Sequence, residues 1–528
     1  MVKDSTTEIG NPSTATATAA PGVGAASRAQ YEHSFFGHPR GLSTLFFTEM
    51  WERFGYYGMR ALLVLFMTAA MTDSNAGLGF SVHQAGAIYG LFAAFVYLLA
   101  LPGGWVADKI LGQRRAVLVG GIIIALGYYG MALPSRTTFY FSLVLVVLGT
   151  GLLKPNISTM VGELYPDRSP EGNARRDSGF TIFYMGINMG ALLAPLVAGY
   201  VGQKISWHWG FATAGMGMTL GLLQYTSFGR YLGDAGMRPD VGDTRTLRRN
   251  TRNLAIGVGA VAVLAYVLLG VLHLGVAQIA GALGYVIAAM GLGYLAYVIL
   301  FGGLTTDEKK RVAVIGLLFL AAAVFWSGFE QAGSSLNLVA EQLTRLNIFG
   351  WDMPASWLQS VNPAYIIVFA PMFAWLWVFL ARHKLEPSAP LKFGLGLILL
   401  GAGFAVMIGA ASAAMAGPKV AVWWLVATYF LHTCGELSLS PVGLSTMTKL
   451  APHRMVGQMM GIWFMAASLG NLMAGLFAST IGAGAGTGEI SASAAHSAFV
   501  LVTEISIAAG FLMVFISPWA RKLMGDTH

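Results

Sequence analysis

Residues 49–58 read Glu49-Met50-Trp51-Glu52-Arg53-Phe54-Gly55-Tyr56-Tyr57-Gly58. They lie inside a long apolar segment, roughly residues 41–70, where charge is expensive. Glu49, Glu52, Arg53, Tyr56 and Tyr57 fall at i, i+3, i+4, i+7 and i+8, which places all five on one face of a helix. Glu49 can pair with Arg53 at i+4, and Glu52 with Tyr56. Three charges in a spanning helix cost about 2.5–3.5 kcal/mol each, roughly 8–10 kcal/mol together. Apolar neighbours return only about 0.3–0.6 kcal/mol each. The polar side chains are therefore expected to face protein or a water-filled cavity, not lipid. Such charges commonly mark a transport pathway; the plainer alternative is an ion pair that locks two helices together.

The rest of the chain sets this segment in a membrane. Of 528 residues, 55% are hydrophobic and 11% charged, with mean hydropathy +0.63. Average soluble domains carry about 25% charge. The single cysteine, Cys434, excludes a disulfide framework and a cysteine-based metal site. Fourteen apolar segments of spanning length follow one another, too long and continuous for a transmembrane barrel. They centre on 41–70, 83–107, 115–134, 138–161, 178–200, 207–229, 254–274, 277–302, 312–339, 362–381, 393–414, 421–448, 456–480 and 496–520. Residues 1–40, rich in Ser, Thr, Ala and Gly, read as a disordered tail and not as a signal peptide.

Charge tests the count. With the N-terminus inside, alternation sends 25 of the 32 Lys and Arg to the inner side and 4 to the outer side, leaving Arg53, Arg60 and Lys154 within helices. That asymmetry places both termini in the cytoplasm and supports an even number of spans. It also accounts for the net charge of +8, so no nucleic-acid partner is implied. Gly190-Ala191-Leu192-Leu193-Ala194 echoes Gly470-Asn471-Leu472-Met473-Ala474, and the run from Lys154-Pro155 echoes that from Ser440-Pro441. Two six-helix halves, 41–229 and 312–522, are thus expected to flank a basic linker, 230–253, and an inserted hairpin, 254–302, that braces the periphery and faces lipid. Duplicated halves with sites between them are a mark of transporters. An intramembrane enzyme would need a nucleophile–base pair or a metal cluster, and neither an HExxH nor a Gly-x-Ser-x-Gly in a suitable setting is present.

Motifs narrow the class. Gly104-Trp-Val-Ala-Asp108-Lys109-Ile-Leu-Gly112-Gln-Arg114-Arg115 resembles the loop signature of the major facilitator superfamily. The stretch from Glu49 to Gly58 resembles the helix-one signature of the proton-dependent oligopeptide transporter family. Phe180-x-x-Phe183-Tyr184-Met185-x-Ile187-Asn188-Met189-Gly190 resembles its second signature. Further matches follow in order, at Lys154-Pro155-Asn156, Phe325-Trp326-x-x-Phe329-Glu330-Gln331, Asn362-Pro363, Gly435-Glu436 to Ser440-Pro441, and Trp463 to Asn471. The resemblance spans roughly 41–522, and the inserted hairpin is similar to that of bacterial members.

This resemblance implies an all-α polytopic membrane protein of major facilitator fold, fourteen transmembrane helices in all. It implies a proton-coupled symporter of the cell's inner membrane that imports dipeptides and tripeptides by alternating access. It further implies no cofactor beyond the coupling proton, and a monomer. Arg53 and Lys154 would receive the peptide carboxylate and Glu436 its amino terminus. Tyr57, Tyr97, Asn188, Trp326, Asn362, Ser440 and Trp463 would line the substrate site, with Tyr57, Tyr97 and Trp463 facing the cavity. Glu49, Glu52, Arg53 and Glu330 would carry proton coupling, Glu330 by exchanging a proton for an arginine salt bridge. Animal members carry a histidine on helix two. Here that helix has only His83, at its start, which shifts coupling to Glu52 and Glu330. Glu436 has only His432 near it in sequence, and His432 reads as an interior residue more than as a proton relay. The alternative is a major facilitator transporter of a drug, nitrate or another metabolite.

Overall fold

A computed structural model of the chain describes residues 35–167, 169–237 and 243–525. Most of the expected N-terminal tail, together with Arg168 and Arg238, therefore lies outside the described residues.

Fourteen long helices make up most of the described chain. They are α1 (Arg40–Thr68), α2 (Val82–Leu111), α3 (Gln113–Met131), α4 (Arg136–Glu163), α5 (Pro170–Lys204), α6 (Trp207–Phe228) and α7 (Thr244–Val271). There follow α8 (Val276–Phe301), α9 (Thr306–Gln342), α10 (Ala355–Arg382), α11 (Ala389–Met415), α12 (Trp423–Leu450), α13 (His453–Thr480) and α14 (Ala492–Met524). Eleven are long and apolar enough to cross a bilayer. The other three, α1, α6 and α12, have 29, 22 and 28 residues, enough at 1.5 Å per residue to span about 30 Å. The fold is that expected, all-α with two six-helix halves, α1–α6 and α9–α14, and an added pair, α7–α8.

Local chemistry sets the helix ends. Ser81 and Ser135 accept from Gln84 N and Thr138 N, and Thr305 and Glu308 form a reciprocal capping box on α9. Pro195, lacking an amide proton, coincides with a π-helical turn, Pro195–Gly199, inside α5. The basic linker is shorter than 230–253: residues 244–253 already belong to α7, whose amphipathic first turns continue into its apolar span. Likewise Phe35 and His38 bridge just before α1 begins, so the end of the expected tail is ordered.

Helices from the two halves meet closely along one seam. A Cβ on Gly475 of α13 would lie 2.3 Å from Gly90 Cα of α2, so only glycine permits this approach. The remaining joins between halves cluster at the end opposite the chain termini. There Asn337 Nδ2 donates to the Ala61 carbonyl at 2.9 Å, Ser360 Oγ to Leu192 O at 2.7 Å, and Trp357 Nε1 to Leu196 O at 3.0 Å. Gln203 joins Glu341 at 2.8 Å and accepts from Ser356 N at 3.0 Å. Of the two carbonyls on α5, Leu192 O lies one turn before its π-turn and Leu196 O within it, where the regular i→i−4 ladder is interrupted. Among the described residues, no hydrogen bond or ion pair joins the halves at the terminus-bearing end. There Ser158, Thr159, Ser445 and Thr448 are exposed. Polar contacts thus hold the halves together at the end opposite the termini.

The added pair is asymmetric. α8 buries Ile287, Leu295 and Val298 against the bundle, close to α2, α9 and α13, and Tyr294 donates to Gln458 at 2.7 Å. On α7 only Asn250 is buried. Neither helix holds a residue of the site described below. Deleting 254–302 with a short linker is expected to leave measurable transport and to lower the thermal midpoint, because α8 covers apolar side chains of the seam. Counterflow and a melting curve on the same correctly inserted preparation check both parts; a stable protein without transport would contradict them.

Candidate functional site

The site is built on α1. Gly190 of α5 sits against it so closely that a Cβ would lie 2.2 Å from Met50 O and 3.0 Å from Arg53 Cβ. α5 therefore packs directly on the part of α1 that carries Arg53. Glu49, Glu52 and Arg53 are all buried, Glu52 completely. Arg53 Nε lies 3.1 Å from Glu49 Oε1 and 2.5 Å from Glu52 Oε2. These are ion pairs by distance, without the alignment of hydrogen bonds, and Arg53 Nη2 is buried with no hydrogen-bond partner. The i+4 pairing of Glu49 and Arg53 is as expected. That of Glu52 and Tyr56 is not: Glu52 pairs with the adjacent Arg53, and Tyr56 instead stacks on Phe92 of α2. Pairing with the guanidinium gives the buried Glu52 carboxylate an opposite charge, which a phenol would not supply.

Lys154 of α4 faces the same wall. Its Nζ has no carboxylate within ion-pair distance among the described residues and lies 4.0 Å from the Tyr97 ring centroid. It is close enough to interact electrostatically with Arg53, Glu52, Glu49 and Glu330. A half-buried cation held only by a ring face keeps its hydrogen-bond donors free.

Further along α1, Arg60 and Glu330 join the halves. Arg60 Nη2 is 2.7 Å from Glu330 Oε2, and Arg60 Nε donates to Tyr89 of α2 at 2.7 Å. Both charges are buried. Glu330 ends the regular helix of α9: Glu330–Gly333 is a 3-10 turn, and the α-helix resumes only at Ser335. This break, beside Gly328, Gly333 and the Ser334-Ser335 pair, turns the carboxylate toward α1. Sequence reasoning identified Glu330 but counted Arg60 only as a charge within a helix, and passed over Tyr89. Arg60 follows Arg53 by seven residues and Tyr56 by four, so the periodicity that gathered the other five residues also reaches it.

The opposite wall belongs to α12 and α10. Asn362 Nδ2 donates to Glu436 Oε2 at 3.1 Å and to Thr433 Oγ1 at 2.9 Å. Glu436 is thus held by an amide, not isolated beside His432. The imidazole of His432 points elsewhere, into Phe404 with ring centroids 4.9 Å apart and against Gly403. Four residues separate the two on α12, but α11 packs so closely that the ring is drawn to its side. Tyr57 lies between the walls, within electrostatic reach of Arg60, Arg53, Glu330 and Glu436.

The remaining candidates divide. Ser440 is half-buried one turn after Glu436, and Tyr57 and Tyr97 are half-buried. Trp326 packs edge-on to Phe325 and Phe329, its Nε1 buried without a hydrogen-bond partner. Asn188 is buried and donates to its own helix at Tyr184 O. Trp463 is buried on α13. It is 6% exposed, its ring over Gly443 and 6.4 Å from the Phe393 ring centroid, within the second half. Glycine at 443 leaves the space that the indole fills. His83 is exposed at the start of α2, remote from these charges.

Two six-helix halves enclosing a cavity lined by buried charges define a membrane transporter of the major facilitator type. The sequence profile of the POT family matches residues 114–492. A peptide transporter of Yersinia enterocolitica is 44% identical over 94% of this chain and 97% of its own. A di-/tripeptide transporter of Lactococcus lactis is 38% identical over 94% of this chain and 99% of its own. A crystal structure of a POT peptide transporter in complex with sulfate superposes with a TM-score of 0.85 at 37% identity, covering 95% of this chain and 99% of that one. A POT transporter in complex with 5-aminolevulinic acid gives 0.82 at 32% identity, covering 93% and 98%. The chain belongs to the POT family; it is a multi-pass membrane transporter and not an enzyme.

Proposed function

We propose that this protein imports dipeptides and tripeptides together with protons, by alternating access. The observation that carries the reading is the opposition of charge across one cavity. Arg53 and Lys154 stand on the first half; Glu436, held by Asn362, stands on the second. A zwitterion carries both charges that these walls would pair with, whereas a simple anion or an apolar drug carries at most one. The names of the relatives, peptide and di-/tripeptide transporters, support the same substrate class. Side chains between the termini would meet Tyr57, Tyr97 and Trp326, which offer ring faces and few fixed hydrogen bonds, so broad specificity follows.

Coupling would run through Glu330. In the sealed state it neutralises Arg60 across the halves. Removing one partner of such a buried pair costs about 3–5 kcal/mol. The five hydrogen bonds at the same end contribute about 0.5–1.5 kcal/mol each. The two sums are of similar size, so a proton placed on Glu330 suffices to destabilise the seal. Glu49 and Glu52 would hold Arg53 until a peptide carboxylate arrives, taking up the proton when it does. Placing both termini in the cytoplasm, as the Lys and Arg distribution favours, puts this polar seal on the outer side. The protein would work as a monomer in the inner membrane, since each chain encloses its own cavity.

Counterflow with labelled dialanine in proteoliposomes tests the substrate. Exchange that unlabelled dialanine competes and N-acetyl-dialanine does not is the expected result. Equal competition by both would overturn the reading of the amino terminus by Glu436. No exchange of any peptide by an inserted, folded protein would overturn the substrate class.

A further inference from the structure

A second basic groove lies outside the transport pathway, at the terminus-bearing end of the second half. It has a volume of about 650 Å³ and runs between the α10–α11 loop, Lys384 to Ser388, and the last turns of α14, Ser517 to Gly525. Its charged lining is Lys384, Glu386, Arg521 and Lys522. The acid is already satisfied. Glu386 Oε1 accepts from Lys392 Nζ at 2.6 Å, and that ammonium is buried, 4.5 Å from the Trp377 ring centroid. Three exposed cations remain, none with a carboxylate partner among the described residues. Ser388 and Ser517, whose hydroxyls lie 3.1 Å apart, add polar groups across the floor.

The groove's surroundings are apolar. Leu385 is 68% exposed, Phe515 84% and Trp519 60%. Phe515, Trp519 and Lys522 fall at i, i+4 and i+7, so an aromatic track on α14 leads directly to a lysine. α10 and α14 are spanning helices, which sets the cations at headgroup depth and the track at acyl-chain depth. A basic pocket between helix ends on the inner face matches the chemistry of an anionic headgroup. From this we infer that the groove is a binding site for an anionic phospholipid, its phosphate held by Lys384, Arg521 and Lys522 and its chains lying along Phe515 and Trp519. Lys392 is a positioning residue, since it draws Glu386 away from the cations. A free phosphate ion would use the cations but not the track.

The test uses the full-length protein in detergent and reads the thermal midpoint against added dioleoylphosphatidylglycerol, dioleoylphosphatidylcholine or inorganic phosphate at fixed ionic strength. Phosphatidylglycerol is expected to raise the midpoint saturably, and phosphatidylcholine and phosphate are not. The triple variant Lys384→Gln/Arg521→Gln/Lys522→Gln, all at exposed positions, is expected to need about tenfold to a hundredfold more phosphatidylglycerol for the same shift. Lys392→Met, which frees Glu386 to compete, is expected to weaken the response in the same direction. A matched triple variant on α7, Arg245→Gln/Arg248→Gln/Arg249→Gln, is expected to respond as wild type. An equal loss in the α7 variant would show general charge attraction and overturn the site. A shift from inorganic phosphate as large as from the lipid would overturn the lipid as occupant. An unchanged response in the groove variant would overturn both. Dialanine counterflow is expected to persist in the groove variant, which separates this site from the transport cavity.

Discussion

Lys154→Ala is expected to abolish proton-driven peptide uptake while leaving the folded protein largely intact. Lys154 is half-buried, carries no ion-pair partner among the described residues, and rests on the Tyr97 ring at 4.0 Å. Its loss therefore strands no buried carboxylate, unlike the loss of Arg53, which would leave Glu49 and Glu52 facing one another. What is lost is one of two cations for the substrate carboxylate. Truncating one member of a desolvated charge pair costs about 2–5 kcal/mol, roughly 30-fold to several thousand-fold in affinity. Uptake of labelled dialanine and the thermal midpoint, measured on one preparation, separate the two effects. Wild-type uptake in this variant would remove Lys154 from the mechanism. Lys154→Arg is expected to restore part of the loss, because it restores the charge but not the ammonium's seat over the ring.

The second large effect separates substrate binding from proton coupling. Glu330→Gln mimics a permanently protonated acid: it keeps the side chain's volume and removes the charge that neutralises Arg60. It is expected to lose uphill accumulation of peptide but to keep counterflow, which needs no net proton movement. Glu436→Gln is expected to lose both. Its carboxylate, oriented by Asn362 at 3.1 Å, is the acidic group proposed for the peptide ammonium, and an amide there removes the charge partner. The affinity loss falls in the same range of about 2–5 kcal/mol. N-acetylated dipeptide, lacking the ammonium, should bind wild type poorly and distinguish the two variants less. The measurement is paired, gradient-driven uptake and counterflow for each variant in the same liposomes. If Glu330→Gln still concentrates peptide, or Glu436→Gln exchanges it normally, the division of labour between these two carboxylates is wrong.

These predictions rest on contacts that the amino-acid order shows unequally. The sequence by itself determined the fourteen helices, because a bilayer selects segments by length and hydropathy alone, and the even count, because Lys and Arg stay on one side. It determined that Glu49 and Arg53 pair, since helical geometry brings i and i+4 together whatever surrounds them. It also marked Arg53, Lys154, Glu330 and Glu436 as unusual, since each is a charge inside an apolar helix. Only the tertiary structure decided what each charge meets. Arg60 and Glu330 are 270 residues apart, as are Asn362 and Glu436 by 74, and no periodicity relates positions on different helices. It also decided how single helices fit: Gly443 opens a slot for the Trp463 indole, and Gly190 lets α5 approach Met50 and Arg53 of α1. The 3-10 turn at Glu330 is likewise invisible in the hydropathy of α9, and it aims the carboxylate. Hydropathy and periodicity fix where a helix lies and which residues share its face; the direction of that face depends on how neighbouring helices fit, down to a single missing Cβ.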